Sequence, residues 1–246
     1  MRGLVETIKQ IRKESAGIDQ VRGNLAHAEE EVRTNPNNFQ AAFDLAGSYL
    51  QFQQTDRAAA VLQNMRENPK AEPAALRSLL QAYASFDNTD GLQKTVDKLE
   101  AYVRKNPTSL QAGLDLAEGY RYLHKTDAAI QTLDQVVNSP RADATTILSA
   151  ASTYAALGNP ARLEAALEKL TKVMPSSPEA WYDLAVVKAG LGKPTDALAA
   201  LRKCLELSAQ RLQRDPKASN LLVNARNEQR FGPLRQTPEF QKLVGP

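Results

Sequence analysis

Four tyrosines, Tyr49, Tyr83, Tyr120 and Tyr154, recur at intervals of 34, 37 and 34 residues. Four residues before each stands Leu45, Leu79, Leu116 or Ala150, followed by Ala46, Leu80, Ala117 or Ala151. A fifth copy, Leu184-Ala185, follows 34 residues on, with Lys188 at the tyrosine position. Downstream the same register holds Ala58, Leu92, Ala129, Leu163 and Ala197, then Leu62, Val96, Leu133, Leu167 and Leu201, then Met65, Leu99, Val136, Leu170 and Cys204. A period of this length constrains the fold more than any composition can. One unit is too short to bury its own apolar face, so successive units must stack and share a core.

The columns also define the elements. Ala42, Leu45, Ala46 and Tyr49 recur at three- and four-residue steps, one stripe of a helix, and Ala58, Val61, Leu62 and Met65 form a second stripe. Between the stripes lie polar breaks that predict a capped helix start at Thr55-Asp56, Thr89-Asp90 and Thr126-Asp127. In the last two units the start is Asn159-Pro160 and Lys193-Pro194, with proline at a first helical position where its missing N–H costs nothing. Gly158 and Gly192 suit the end of the first helix. Pro36, Pro69, Pro107, Pro140 and Pro175 close the second helices. The three extra residues of the second unit fall within Val96–Arg104, close to one added helical turn. Residues 33–69 and 104–140 match at 14 of 37 positions without a gap, so the array reads as a doubled two-unit block.

A bulky residue, Leu-Ala, Tyr, a turn glycine, a helix-B alanine and a closing proline together resemble the tetratricopeptide repeat; the fifth unit, with Trp181, Leu184-Ala185, Gly192, Ala197 and Leu201, is nearest. The resemblance is to bacterial-type members. It implies an all-α fold, a right-handed α-solenoid of antiparallel helix pairs. The expected layout is an N-terminal helical cap or degenerate repeat over 1–37 and five units over 38–213 (38–71, 72–108, 109–142, 143–176 and 177–213). A C-terminal capping helix and tail follow over 214–246. Departures from the pattern are Gly113 at the bulky position of the third unit, Lys188 for tyrosine, and Leu92 and Leu163 for the small alanine.

The ends must cover the last exposed faces of such an array. Leu221, Leu222 and Ala225 share one helical face, and Phe231, Leu234, Phe240 and Leu243 are placed to pin the tail onto the fifth unit. At the other end Leu4, Ile11, Ile18, Leu25 and Val32 form a seven-residue column. It reads either as a long helix able to pair as a coiled coil or as a degenerate helical pair, broken near Ser15–Gly17, that covers the first unit. A start at Met1 with no targeting signal leaves room for a segment of a larger protein.

The residue inventory argues against catalysis. Two His and one Cys make neither a disulfide framework nor a zinc site, so no metal or cofactor is expected. Gly190-Leu-Gly192-Lys193 lacks the upstream glycine, the following hydroxyl and the preceding strand of a phosphate loop. Cys204 shares a column with Met, Leu and Val, which makes it a buried hydrophobe, and the register places no nucleophile beside His27 or His124. A net charge of +3 is too mild for a nucleic-acid protein, although residues 202–246 carry nine Lys/Arg against four Asp/Glu. No run reaches the roughly 18 apolar residues of a membrane span, so no membrane insertion is expected and a cytoplasmic location is the default; an extracytoplasmic one fits a piece of a larger protein.

The family resemblance implies where a ligand would bind. First helices line a concave face, and their second, fifth, sixth and ninth positions meet ligands. Carried over, these are Gln40, Phe43, Asp44 and Gly47, then Ala74, Arg77, Ser78 and Gln81. The third unit supplies Gln111, Leu114, Asp115 and Glu118, with Arg121 and Tyr122 one turn on. The fourth supplies Thr145, Leu148, Ser149 and Ser152, and the fifth Glu179, Tyr182, Asp183 and Val186. Co-chaperones of this family clamp a C-terminal carboxylate with Lys, Asn and Arg at such positions. Here Asp44, Asp115 and Asp183 recur, with Arg77 and Arg121 as the cations. An acidic groove disfavours an anionic peptide end, so the expected partner is a neutral to basic protein segment with apolar anchors for Phe43, Leu114, Tyr122 and Tyr182. The expectation is a non-enzymatic interaction scaffold, monomer or homodimer, binding a peptide in this groove. The alternative is a regulatory or assembly domain of a larger, membrane-anchored bacterial protein, self-associating through its N-terminal helix.

Overall fold

The computed structural model describes residues 22–85 and 87–245, all helix and short turns with no strand among them. They fall into two compact units divided between Tyr102 and Val103. The first holds α1 (residues 22–34), α2 (Phe39–Gln51), α3 (Thr55–Glu67), α4 (Pro73–Ser85) and most of α5 (Thr89–Lys105). The second holds α6 (Leu110–Tyr122), α7 (Thr126–Asn138), α8 (Ala144–Ala156), α9 (Pro160–Val173), α10 (Pro178–Gly190) and α11 (Pro194–Arg214). It ends with α12 (Leu221–Asn227), a 3-10 turn η1 (Gln229–Leu234) and α13 (Pro238–Val244). Of the N-terminal apolar column, Leu4, Ile11 and Ile18 lie outside the described residues; Leu25 and Val32 are half-buried on α1.

Helices pack as the period requires. α2 meets α3, α6 meets α7, α8 meets α9 and α10 meets α11; α3 then meets α4 in the first unit, and α7 meets α8 and α9 meets α10 in the second. The small columns are the closest approaches: Ala46, Ala117, Ala151 and Ala185 are buried on the first helices, and Ala58, Ala129 and Ala197 on the second. Gly113 belongs to the same logic. A Cβ there would lie 2.6 Å from Val136 Cγ2, so the missing bulky residue is what lets α6 approach α7. The added turn of the second unit lies in α5, 17 residues long against 13 for α3 and α7.

The turns within the pairs share one backbone device. Gln53, Asp87, His124, Gly158 and Gly192 occupy one register position, and all five have positive φ, from 51° to 68°. Glycine takes that region freely, whereas other L-residues pay about 1–2 kcal/mol for it. The helix starts correct the sequence reading in one respect. Thr55, Thr89 and Thr126 are first helical residues and not caps, and Gln54 and Lys125 at the cap positions accept no side-chain bond. Asn88 does cap, its Oδ1 accepting from Gly91 N at 2.8 Å. Asp56, Asp90 and Asp127 instead lie in the first turn, where a negative charge opposes the positive end of the helix dipole. Asn159 caps α9 with Pro160 at its first position, as the sequence implies, and Pro194 opens α11.

The tyrosine column is a polar rivet between pairs. Tyr49 Oη donates to Glu29 at 2.6 Å and Tyr154 Oη to Asp134 at 2.6 Å, each reaching back 20 residues to the helix before its own pair. Arg57 and Arg162 grip the same carboxylates at 3.3 and 3.0 Å. Glu29 therefore stands to its pair as Asp134 does, which makes α1 the counterpart of a second helix. Where Lys188 replaces tyrosine the rivet becomes ionic. Its Nζ meets Glu164 at 2.8 Å and Glu168 at 2.7 Å, and Lys193 meets Glu164 at 2.5 Å. Lys188 and Glu164 are buried, which only this mutual pairing permits. Hydrogen bonds from Lys188 and Lys193 hold Glu164 below the usual carboxylate range. Burial alone would lower Lys188, but its bonds to Glu164 and Glu168 outweigh that and raise it.

Phe231, Leu234, Phe240 and Val244 are buried on the end of the second unit, while Leu243 is half-buried. Phe231 and Phe240 meet with ring centroids 5.8 Å apart, and Arg226 Nε ties α12 to the Val244 carbonyl at 2.7 Å. Cys204 is fully buried in α11, which pushes its thiol up to about 12 and leaves it inert.

Candidate functional site

In the first unit, α2 leaves Gln40 and Asp44 exposed and Phe43 half-buried. Gln40 Nε2 donates to Asp44 Oδ1 at 2.9 Å, an i,i+4 pair on one helical face. On α4, Gln81 is exposed while Arg77 and Ser78 are half-buried, and Ser78 Oγ donates to its own helix at the Ala74 carbonyl, 3.3 Å away.

In the second unit α6 repeats the amide–carboxylate pair: Gln111 Nε2 donates to Asp115 Oδ1 at 3.0 Å. The structure departs from the sequence reading here. Leu114 and Asp115 are buried, at 8% and 4% exposure, because Leu114 joins the core that α6 shares with α7 and α8. Both lie below the surface on which the family resemblance puts a ligand. One turn on, Arg121 forks onto Glu118 through Nε at 2.9 Å and Nη2 at 2.5 Å, and its guanidinium lies 4.5 Å from the Tyr122 ring centroid. This bond holds Glu118 below the usual carboxylate range, and burial raises the Tyr122 phenol. The trio is half-buried and stays on the surface of α6.

The next two first helices bring predicted positions together. Ser152 on α8 and Tyr182 and Asp183 on α10 line one pocket with Leu148 and Val186, over a floor that includes Leu163 and Leu167 of α9. Leu148 is 44% exposed, a large apolar side chain uncovered at the rim, with Ser149 exposed beside it. Glu179 is drawn elsewhere: Arg211 of α11 pairs with it and Ser177 donates to it at 3.1 Å. Tyr182 is half-spent as an anchor, because Phe231 meets its ring edge-on at 6.2 Å.

Asp183 differs from Asp44 and Asp115 in its neighbour. Four residues before it stands Glu179 where the other two have glutamine. Among the described residues no donor reaches its carboxylate. Asp183 is exposed, yet the packing around its carboxylate removes part of its water and raises its pKa, partly offset by the nearby Arg230, with Glu179 adding repulsion. Arg230 completes the pocket wall from η1, although its guanidinium is held by Glu228 at 2.8 and 3.3 Å. The sequence reading assigned the tail to capping and missed Arg230. The signal was the charge at 230 next to the buried Phe231, which can bring a neighbour to the groove edge.

No group of three or more His, Cys, Asp or Glu able to hold a metal occurs among the described residues. The glycines at 190 and 192 end α10 and turn into α11, and Lys193 is spent on Glu164. No described helix is long and apolar enough to cross a membrane.

No curated protein matches the sequence. A solved thermophilic tetratricopeptide repeat protein of Thermus thermophilus is 22% identical, with a TM-score of 0.41 over 76% of this chain and 96% of that one. A tetratricopeptide repeat protein from Parabacteroides merdae is 15% identical, with a TM-score of 0.45 over 95% of each chain. MamA is 15% identical, with a TM-score of 0.40 over 81% of this chain and 95% of that one. The family model for the tetratricopeptide repeat matches residues 148–211, the stretch from the middle of α8 into α11. Residues 148–211 therefore carry the tetratricopeptide repeat, and the apolar columns before them keep the same register.

Proposed function

We propose that this chain is a non-enzymatic scaffold that binds an extended segment of a partner protein across its first helices. The segment is neutral to basic and carries an apolar anchor. In the second unit the anchor is received by the pocket between α8 and α10. The observation that carries this reading is the juxtaposition of Leu148, uncovered at the rim, with Asp183, a carboxylate without a donor among the described residues. An apolar side chain of the partner covers the leucine and releases its water, at about 25 cal/mol per Å² buried. A lysine or arginine beside that side chain supplies the charge-assisted bond Asp183 lacks. An acidic segment meets Asp183 instead and is repelled. In the first unit Phe43 and Asp44 offer the same apolar–acidic pairing on α2, with Asp44 already engaged by Gln40.

The test is an array of 12-residue peptides, each with one central Leu, Phe or Met flanked by Lys, Ala or Glu, read by fluorescence anisotropy. Lysine-flanked peptides should bind best and glutamate-flanked ones least. Leu148→Glu and Asp183→Lys should each weaken the best peptide at least tenfold, with helicity unchanged. Equal binding of all three flanking classes, or unchanged affinity in both variants, rejects this surface.

A further inference from the structure

A lysine recurs on the second helices of three pairs, at Lys98, Lys169 and Lys203. In the first unit Lys98 Nζ donates to the Arg66 carbonyl near the end of α3. In the second, Lys169 Nζ donates to the Val137 carbonyl near the end of α7. Both satisfy a last-turn carbonyl that has no amide partner of its own, and both draw successive second helices together. Lys203 holds the same register on α11, opposite Thr171 of α9, but makes no such bond among the described residues. Its nearest carboxylate is Glu206 on its own helix, 3.9 Å away.

The groove bounded by α9, α10 and α11 has a volume of about 760 Å³, against about 350 Å³ for the one bounded by α7, α8 and α9. Trp181 forms one wall; its N–H is spent on the Pro175 carbonyl at 3.0 Å, so the ring is left as apolar surface. Ala199 and Ala200 leave space on the α11 side. At the base Lys188 and Glu168 neutralise each other at 2.7 Å. Asp196 also lines the groove, its carboxylate 3.9 Å from Lys188 Nζ, so three lysines face two carboxylates. The excess is one positive charge, presented by the exposed Lys172 and Lys203, of which, among the described residues, only Lys203 has a carboxylate within 3.9 Å.

We propose that this groove is a second docking surface, on other residues of the α9 and α10 that it shares with the peptide pocket, and that it takes an acidic segment of a partner protein. The segment sets an apolar side chain against Trp181 and carboxylates against Lys172 and Lys203. The two surfaces then have opposite charge preferences, so one chain can hold a basic and an acidic segment together.

Trp181 is the only tryptophan of the chain, so its emission reports this groove. The probes are a 14-residue peptide of repeated Glu-Glu-Leu-Leu and its Lys-Lys-Leu-Leu counterpart, neither containing tryptophan. The acidic peptide should shift Trp181 emission and saturate, with a midpoint that rises with salt; the basic one should leave the emission unchanged. The double variant Lys172→Glu, Lys203→Glu should raise the midpoint about tenfold, since each exposed pair is worth a few-fold in affinity. The glutamine pair at the same positions should move it less, in the same direction. Arg214→Glu with Lys242→Glu changes net charge equally at exposed cations outside the groove, and should move it less than twofold. An equal response to the basic peptide, an equal loss in the outside pair, or no emission change with the acidic peptide overturns the proposal. None of these outcomes depends on the Leu148 and Asp183 surface.

Discussion

Lys188→Met tests whether the ionic rivet carries the end of the second unit. The substitution keeps the aliphatic stem and removes one charge from a site where Lys188 and Glu164 each expose only 10% of their side chains. Removing one partner of a buried pair costs about 3–5 kcal/mol, because the other charge is left without compensation. Here Glu164 keeps Lys193 at 2.5 Å, a partner 46% exposed and so weaker, which cuts the expected loss to about 2 kcal/mol. For a unit of this size that is a fall in melting midpoint of about 4–8 °C. The assay is urea and thermal unfolding followed by Trp181 emission, since Trp181 and Lys188 line the same groove. Adding Glu164→Leu should recover all but about 1 kcal/mol, because the stranded charge goes with it. The pH profile provides a second arm. Glu164 has a folded pKa below its unfolded value, so the network's contribution is fully present above the ordinary carboxylate value. It is lost as pH falls through the lowered folded value. That acid sensitivity should be weaker in Lys188→Met than in the parent. If Lys188→Met costs under 0.5 kcal/mol (roughly, by the surface-pair scale), or the double variant is no better than the single, the pairing is ornamental and the reasoning fails.

Other substitutions probe the remaining devices. His124→Gly should stabilise by about 0.5–1 kcal/mol, the relief of a left-handed backbone at φ 56° less the entropy glycine adds to the unfolded chain; chemical denaturation reads it. Gly113→Val should destabilise by about 1–3 kcal/mol, because its branched side chain must displace Val136; calorimetry checks it, and a neutral result would show that α6 and α7 can separate freely. Phe231→Ala should cost about 3–5 kcal/mol by emptying the contact with Tyr182 and Phe240, and hydrogen exchange should show α12 and α13 opening before α6 and α7.

The repeat was legible in the sequence because stacking imposes the same side-chain size at the same step. The alanine columns, the apolar columns and the prolines mark helices, turns and ends without any coordinate. The left-handed turns were legible only at Gly158 and Gly192; Gln53, Asp87 and His124 adopt the same backbone with no residue that announces it. There the flanking helices dictate φ and local preference yields to them. Lys188 read as a lapse from the tyrosine column, since its partners Glu164 and Glu168 come from another helix and no local spacing pairs them.

For the candidate site, sequence determined which residues share the first-helix face, because that follows from helical periodicity alone. Depth was decided by tertiary packing. Leu114 and Asp115 occupy positions equivalent to Phe43 and Asp44, yet both are buried, Leu114 in the core that α6 shares with α7 and α8, while Phe43 stays half-buried and Asp44 exposed. The same holds for charge. Three aspartates recur in the sequence; only the folded chain shows that glutamine occupies two of them and that no described donor reaches Asp183. Register is a property of one chain segment and can be read along it. Burial and pairing depend on what other segments bring to the same place, and those are known only once the helices have packed.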